Sequence, residues 1–346
     1  MFNIYPSASG RRAGFGSKLT VKAVVYYEYG SPDVLRLEEV ERPSVRADCV
    51  LVRVRGAAAN PYDWHFIRGE PYFMRLMFGL RAPTRNALGV DFSGVVEEVG
   101  HEATAFAPGD EVYGMCDGAF AEYLCAPATD VALKPRTLGF DAAAAVPLAG
   151  LTALQGLRDL GQLRPGQRVL IIGASGGVGT FAVQIAKDLG AHVTGVCSTR
   201  NLDFVRALGA DEVIDYTRQD FAEGGATYDV IFQLAGTHSP SRCRRALTPR
   251  GRLVLSSGDS DDAWIGPMDR VLKAATLSPF VSQALVVLDV KRRKADLETL
   301  AERIDAGKLT PVIDRTYSLA EVPEAVRYIE RGHARGKVLI RIDHAG

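Results

Sequence analysis

The first third of the chain alternates between apolar and polar positions, which is typical of short β-strands. Val21–Tyr27 and Val50–Ala58 follow this period of two. Between Val90 and Asp130, short apolar runs are separated by turns that contain Gly and Asp. This spacing predicts an antiparallel, barrel-like region.

The pattern changes near Ala142, where an Ala- and Leu-rich segment predicts a helix over Ala142–Leu160. Beyond it, apolar runs with the period of strands alternate with runs that have the period of helices, which indicates βαβ units and a parallel sheet. The predicted elements are strand Arg168–Ile172, helix Thr180–Leu189, strand His192–Cys197, helix Asn201–Leu208, strands Glu212–Asp215 and Val230–Leu234, helix Ser239–Leu247 and strand Gly251–Ser256.

The last part of the chain is expected to rejoin the first domain. A predicted helix, Ala295–Ala306, precedes Pro311-Val312 and Val338–Ile342, which we interpret as returning strands. A chain of 346 residues also exceeds the usual size of a single core. The fold class is therefore α/β, with a β-rich domain at 21–145 and 292–346 and a doubly wound parallel-sheet domain inserted at 146–291.

The charge balance, the length of the apolar runs and the spacing of the cysteines limit which partners and which cellular compartment are expected. Lys plus Arg and Asp plus Glu are both 41, so charge gives no reason to expect nucleic acid or an anionic membrane. No apolar run reaches the length of a membrane span. The five cysteines contain no CxxC pair, which disfavours a disulfide framework or a four-cysteine zinc site and fits a reducing, cytoplasmic compartment.

Residues 1–20 are basic and lack the apolar core of a secretory signal. We expect a disordered tail there; the alternative is an organellar transit peptide.

A glycine-rich turn follows the strand Arg168–Ile172 and opens a helix. Its Ala174-x-Gly176-x-x-Gly179 spacing is a variant of the dinucleotide-binding fingerprint. Gly176 lets the backbone approach a pyrophosphate, and Gly179 lets the helix pack closely on the strand. The helix N-terminus would then hold the phosphates. The sequence therefore predicts a site for a nicotinamide dinucleotide.

The end of the next strand favours NADPH over NADH. A site specific for NADH normally places Asp or Glu there to hold the ribose hydroxyls. This chain has Cys197-Ser198-Thr199-Arg200, which offers two hydroxyls and a guanidinium to a 2′-phosphate. In the alternative interpretation, Arg200 only begins a solvated helix.

Several segments resemble the zinc-free, quinone oxidoreductase-like branch of the medium-chain dehydrogenase/reductase superfamily. They occur in order between about Val21 and Ile342: Ala59-Asn60-Pro61-Tyr62-Asp63-Trp64, Gly89-Val90-Asp91-Phe92-Ser93-Gly94, Ala149-Gly150-Leu151-Thr152-Ala153, Gly209-Ala210-Asp211-Glu212-Val213-Ile214-Asp215-Tyr216 and Gly332-His333-Ala334-Arg335-Gly336-Lys337-Val338. The resemblance implies a GroES-like catalytic domain, an inserted Rossmann domain, an active-site cleft between them and a homodimer.

The resemblance also implies roles for individual residues. The family's Tyr beside the adenosine phosphate would be Tyr216, and its Asn beside the nicotinamide would be Asn60. The full set of candidate cofactor contacts is Asn60, Thr152, Ser175, Gly176, Gly177, Val178, Gly179, Ser198, Thr199, Arg200, Tyr216 and Gly236. Relatives often have Asp where this chain has Gln233, and the sequence suggests no function for that change.

The positions of metal ligands differ from those of zinc-dependent relatives. Zinc-type alcohol dehydrogenases have a catalytic Cys just before the segment that begins here at Pro61, Gly-His-Glu at Gly89-Val90-Asp91, and a further Cys near Pro147. The four-cysteine structural zinc lobe is missing as well. We therefore predict no metal site.

Without a Lewis acid, the acceptor should be one whose product anion is delocalised, namely a quinone or an α,β-unsaturated carbonyl. Tyr62 and Asn60 are the candidate catalytic residues; Tyr62 would hydrogen-bond the acceptor oxygen or deliver a proton, unless it only packs in the cleft wall. The apolar segment Pro71–Leu80 is either a lid or ordinary packing. Two other functions remain open: a zinc-type alcohol dehydrogenase and a non-catalytic NADPH-binding protein.

Overall fold

The computed structural model describes residues 19–256, 266, 268–278 and 281–344, so most of the predicted tail lies outside the described residues. The described strands are β1 Thr20–Val25, β2 Arg36–Glu41, β3 Cys49–Ala59, β4 Asp91–Val99, β5 Glu111–Met115, β6 Tyr123–Pro127, β7 Val131–Leu133, β8 Arg168–Ile172, β9 His192–Cys197, β10 Glu212–Asp215, β11 Tyr228–Gln233, β12 Leu247–Leu255, β13 Ala284–Val287, β14 Ile313–Ser318 and β15 Lys337–Arg341. The α-helices are α1 Pro61–Arg68, α2 Arg75–Phe78, α3 Phe140–Ala144, α4 Pro147–Leu154, α5 Gly177–Asp188, α6 Leu202–Ala207, α7 Pro240–Arg245, α8 Met268–Leu277, α9 Lys294–Asp305 and α10 Val322–Glu330.

The chain divides into two compact units. The first contains 19–148, Arg292–Asp305 and 313–344, and the second contains the described residues between 149 and 291 together with Ala306–Val312. The sequence-based division placed Ala306–Val312 in the first domain. Instead, the side chain of Gln184 on α5 holds this segment, since it donates to Thr310 O at 3.0 Å and accepts from Thr310 N at 2.9 Å.

A seven-stranded sheet organises the first unit. Its order is β14-β15-β3-β4-β5-β7, and β6 pairs with the other part of β3. Only the β14–β15 pair is parallel, so the predicted antiparallel character is confirmed. The returning strand predicted at Pro311-Val312 begins at Ile313 instead. The apolar face of this sheet encloses a core that includes Val54, Phe92 and Phe120.

The second unit is built on a six-stranded parallel sheet. Its order is β10-β9-β8-β11-β12-β13, with the first strand of the unit in the middle. This is the order of a doubly wound dinucleotide-binding sheet, and ligands bind beyond the carboxyl ends of such strands, where the order reverses. Here the reversal lies between β8 and β11, so the glycine turn after β8 lies at the expected place.

The predicted long helix Ala142–Leu160 is interrupted. The structure divides it into α3, α4 and a π-helical turn at Gln155–Leu160. Pro147 explains the first break, because proline has no N–H for an intrahelical bond and clashes with the preceding turn. None of the described helices is long and apolar enough to cross a membrane.

Candidate functional site

The turn after β8 shows why glycine is needed at two positions for two different reasons. At Gly179, an added Cβ would lie 2.1 Å from Gly173 O, so the first turn of α5 could not pack against the end of β8. At Gly176, an added Cβ would meet only Gly173 O at 3.6 Å, and φ of −81° suits any residue. Nothing within the described protein requires glycine at Gly176, so the open space beside it fits a ligand that approaches the backbone.

Helix α5 begins earlier than the sequence suggested. It starts at Gly177 rather than Thr180, with Gly176 as its N-cap, so Gly177, Val178 and Gly179 form its first turn. A glycine cap has no side chain to satisfy the first N–H groups of the helix. Those N–H groups and the helix dipole therefore remain available to a phosphate, and Ser175 precedes them directly.

A carboxylate at the end of β10, Asp215, lies beside the end of β9, where sequence spacing did not reveal it. Strand β10 pairs with β9 in parallel, which places Asp215 opposite Cys197. The Thr199 hydroxyl donates to Asp215 Oδ2 at 2.6 Å, and this hydrogen bond lowers the pKa of Asp215. The expectation of a Thr199 hydroxyl that donates to a 2′-phosphate therefore needs correction, because its proton is already used. Arg218 lies 3.6 Å from Asp215 and offsets its charge.

The remaining candidates of the second unit lie around the same strand ends. Ser198 and Arg200 follow β9, and Arg200 is exposed. Tyr216 follows β10 and is also exposed. Its neighbour Arg218 and the segment after β11 line a groove of about 640 Å³. Thr152 is buried in α4, and Gly236 occupies a left-handed turn with φ of +76°.

Gln233, the unexplained residue at the end of β11, shapes the loop that contains Gly236. Its Nε2 donates to Gly236 O at 3.3 Å and to His238 O at 3.2 Å, and the side chain is fully buried. Arg270 donates to the same Gly236 carbonyl at 2.7 Å. An Asp at this position has no N–H to offer two carbonyl oxygens, so Gln suits this loop for a local reason.

In the first unit, Asn60 belongs to a buried polar network. Its Nδ2 donates to Ala58 O at 3.1 Å and to Asp91 Oδ2 at 3.0 Å, and its Oδ1 accepts from the Lys337 ammonium. Lys337 also pairs with Asp91 at 3.0 Å, and both side chains are almost completely buried. Both amide hydrogens of Asn60 are thus committed within this unit. Only a lone pair of Oδ1 remains for the predicted nicotinamide contact.

Asp63 holds the start of α1 in place. Its carboxylate accepts from Asn60 N at 2.7 Å and from Gly89 N at 3.2 Å. Burial raises the pKa of Asp63 to about 7, and the nearby charge of Asp91 adds to the rise, while the hydrogen bond from Asn60 opposes it. A carboxyl group that keeps its proton at pH 6 while the unfolded chain releases it makes stability depend on pH.

We expect the free energy of unfolding to fall as pH rises from about 4 to 7, by up to about 1.4 kcal/mol for each pH unit. The folded state binds the Asp63 proton more tightly than the unfolded state, so its contribution is complete below pH 4 and is lost through pH 7. Carboxylates with a lowered pKa, such as Asp211, make the free energy of unfolding rise with pH, and they do so at lower pH than Asp63. Urea unfolding at several pH values should show a flatter profile for Asp63→Asn; equal slopes would contradict this assignment.

Tyr62 is the candidate catalytic residue with an available polar group. Its hydroxyl makes no hydrogen bond to the described residues, and the residue is 38% exposed. Burial of the ring raises the pKa of Tyr62 to about 12, and the negative charge of Asp117 adds to the rise. Asp117 itself is held between Arg85 at 2.5 Å and Arg292 at 2.6 Å. Tyr62 therefore remains a neutral hydrogen-bond donor at physiological pH.

The segment Pro71–Leu80 forms one short 3-10 turn and α2. Leu76, Met77 and Leu80 are exposed there, between two-thirds and three-quarters of their surface. The lid remains a prediction.

The metal-ligand positions of zinc enzymes contain groups of other kinds. Asn60 is bound to a lysine ammonium, and Val90 is a buried apolar residue. In the part of the chain that the structure describes, no group of three or more His, Cys, Asp or Glu side chains could hold a metal ion. The buried ammonium of Lys337 would also repel a cation placed beside Asn60.

Comparisons with known proteins agree with this architecture. Residues 46–136 match the family model described as "Alcohol dehydrogenase GroES-like domain", and residues 208–340 match "Zinc-binding dehydrogenase". The chain is 34% identical to the mouse "NAD(P)H oxidoreductase RTN4IP1, mitochondrial", over 92% of this chain and 89% of that protein. It is 32% identical to the "NADPH-dependent alkenal/one oxidoreductase, chloroplastic" of Arabidopsis thaliana, over 92% and 79%.

A solved structure shows the same fold. The quinone oxidoreductase from Coxiella burnetii superposes with a TM-score of 0.83 at 30% identity, covering 94% of this chain and all of that one. The chain thus belongs to the medium-chain dehydrogenase/reductase superfamily, in its quinone oxidoreductase-like branch, and is an NAD(P)H-dependent oxidoreductase.

Proposed function

We propose that this chain is an NADPH-dependent reductase that works without a metal ion and reduces a quinone or an α,β-unsaturated carbonyl. The observation that carries the proposal is the Asn60–Asp91–Lys337 network. In this network the amide of Asn60 stands where zinc enzymes have a ligand, and it is bound to the ammonium of Lys337, which disfavours a Lewis acid beside the product anion. Relatives named for quinones and for alkenals or enones support this class of acceptor.

Tyr62 would hydrogen-bond the acceptor oxygen. The reduced nicotinamide, when bound, supplies the hydride. The anion that forms on a quinone or an enone is delocalised onto an oxygen, and a neutral phenol beside that oxygen stabilises it. Because the pKa of Tyr62 is raised, its hydroxyl keeps its proton at neutral pH and donates a hydrogen bond instead of the proton itself. We therefore assign the final protonation to solvent and the stabilisation of the oxyanion to Tyr62.

Within the second unit, the residues fit the cofactor. The space beside Gly176, the uncapped N-terminus of α5 and the Ser175 hydroxyl would hold the pyrophosphate. Ser198 and Arg200 would hold the 2′-phosphate, and Arg218 is an additional cation that the sequence did not point out. Asp215 weakens the preference for NADPH, but the two arginines outweigh its single charge.

The test is a screen of NADPH oxidation with ortho-quinones, para-quinones, 2-alkenals and enones, with NADH in parallel. We expect turnover with at least one conjugated acceptor, a higher kcat/KM with NADPH, and no loss of activity in the presence of a chelator. Reduction of simple ketones that a chelator abolishes would favour a zinc-type alcohol dehydrogenase. Cofactor-dependent thermal stabilisation without turnover of any acceptor would favour a non-catalytic NADPH-binding protein.

Tyr62→Phe should lower kcat by about 10- to 100-fold, because the hydroxyl donates to a charged oxygen only as the anion develops. The dissociation constant of NADPH should not change. Steady-state kinetics with the best acceptor measure both values. Phe66→Leu, which alters the ring packed at 4.3 Å against Tyr62 but keeps the hydroxyl, is the matched control. An unchanged kcat for Tyr62→Phe would remove Tyr62 from the mechanism.

Compartment and assembly are also proposals. We propose a reducing, cytoplasmic location, because all five cysteines are free thiols and four of them are buried. The two relatives above are named mitochondrial and chloroplastic, so fractionation must decide. We also propose a homodimer: β13 ends the parallel sheet within the described residues, and Val287 on it is 42% exposed. Light scattering would measure the oligomeric state.

A further inference from the structure

Asn201 links two loops of the second unit that the sequence assigned separately to the cofactor. It is only 4% exposed, and it lies in the 3-10 turn after β9, within hydrogen-bond distance of the turn after β8. Its Nδ2 donates to Ser175 Oγ at 2.9 Å and, more weakly, to Ser198 Oγ at 3.4 Å. Its backbone N–H donates to Ser198 O at 2.8 Å, so the backbone from which the side chain extends is held in the turn.

This geometry determines what the two serine hydroxyls can do. Each hydroxyl has one proton and accepts a hydrogen bond from Asn201. Among the described residues, neither hydroxyl donates a hydrogen bond: Ser198 is the N-cap of a 3-10 turn but makes no side-chain capping bond. Both protons are therefore left to point away from Asn201.

The neighbouring groups indicate an anionic ligand for those protons. Ser175 directly precedes the uncapped N-terminus of α5, and Ser198 precedes the exposed Arg200. Phosphate oxygens only accept hydrogen bonds, so a serine that binds a phosphate must use its one proton for it, and its lone pairs then suit another donor. A buried Asn amide provides that donor for both serines, and an acceptor such as Asp in its place would take the protons for itself.

We propose that Asn201 is a positioning residue that sets Ser175 and Ser198 as hydrogen-bond donors to the phosphates of the cofactor. Ser175 acts on the pyrophosphate, which NADH and NADPH share, and Ser198 acts on the 2′-phosphate, which only NADPH has. The inference rests on the proposed NADPH dependence for its Ser198 arm alone. Its Ser175 arm holds for either cofactor.

The test measures the dissociation constants of NADPH, NADH and 2′,5′-ADP for Asn201→Asp and Asn201→Ala in the full chain. Asn201→Asp should weaken NADPH by about 10- to 100-fold and NADH by less, because it turns both hydroxyl protons inward. Asn201→Ala should weaken binding less, again with a larger loss for NADPH than for NADH. This variant provides the test if Asn201→Asp does not fold. The KM for NADPH should change more than kcat.

Serine variants separate positioning from a structural role. In a Ser175→Ala/Ser198→Ala background, Asn201→Ala should have almost no further effect on binding, since its two acceptors are gone. Asp203→Asn changes an exposed charge two residues away and should leave the ratio of NADPH to NADH affinity unchanged. Equal weakening of both cofactors that persists in the serine-free background would overturn the proposal.

A failure of the Asn201 role can be distinguished from a failure of the proposed NADPH dependence. If the wild-type protein prefers NADH, the NADPH assignment fails, but Asn201→Asp must still weaken NADH in a manner that depends on Ser175. If it does not, the positioning role fails independently.

Discussion

Gly176→Ala should leave the protein folded and weaken NADPH binding by about 100-fold, or about 2.7 kcal/mol. The backbone at Gly176 suits any residue, and its Cβ would touch no described atom closer than 3.6 Å. The added methyl group therefore affects only the space into which the pyrophosphate would fit. Thermal unfolding without cofactor should match the wild type, while fluorescence titration with NADPH should show the loss.

Gly179→Ala, three residues away, is the matched control with the opposite result. Its Cβ would lie 2.1 Å from Gly173 O and 2.7 Å from Ala174 C, so the first turn of α5 must move. Overpacking against backbone destabilises by about 1–3 kcal/mol or more. We expect a lower melting temperature even without cofactor. A Gly176→Ala protein that melts early but binds NADPH normally would contradict this division of roles.

The parallel sheet could be predicted closely because its pattern is local. The observed bounds of β8, β9 and β10 are those predicted, since a turn glycine (Gly166, Gly190 or Gly209) stands two or three positions before each of them. The start of α5 was placed three residues late, because Gly177 and Gly179 have low helix propensity and only tertiary packing makes them helical. Strand β13, Ala284–Val287, was not predicted.

The cofactor turn was predictable for a similar reason, but the contacts that complete the site were not. The sequence indicates glycines where a backbone must approach a ligand. It does not show that Asp215 would reach Thr199 across two paired strands, or that Asn201 would bond Ser175. Those contacts depend on the register of the sheet and on side-chain direction. The sequence offered one signal for the Asn201 contact: this residue closely follows Ser198 and Thr199 at the end of a strand.

The Asp91–Lys337 pair is the clearest case of a long-range feature, because 246 residues separate its members. Both residues stand in segments that resemble the family, but neither segment alone suggests an ion pair. Lys337 begins an apolar strand, and Asp91 begins another. They meet because β15 and β4 both pair with β3 in the same sheet.

Lys337→Met should destabilise the first unit by about 3–5 kcal/mol, because it leaves the buried carboxylate of Asp91 without a cation. Asp91 would keep the hydrogen bonds from Leu148 N at 2.7 Å and from Asn60 Nδ2, which do not replace a full charge. The double variant Asp91→Asn/Lys337→Met has no buried charge left at this point and should regain much of the stability. Urea unfolding of the single and double variants measures the coupling.

The experiment on Asp91 and Lys337 distinguishes a stabilising role of the ion pair from a positioning role. Strict additivity of the two substitutions would show that the ion pair does not stabilise the fold. If the double variant is stable but has lost activity, the pair is retained for another reason, namely to hold the amide of Asn60 beside α1. Because Lys337 binds Asn60 Oδ1 and Asp91 binds Nδ2, the double variant loses two contacts that orient this amide and keeps the hydrogen bond to Ala58 O. The start of α1 would then depend on Asp63 alone, and Tyr62 would lose its fixed position. We therefore expect the double variant to have a lower kcat than the wild type even though it has regained much of its stability.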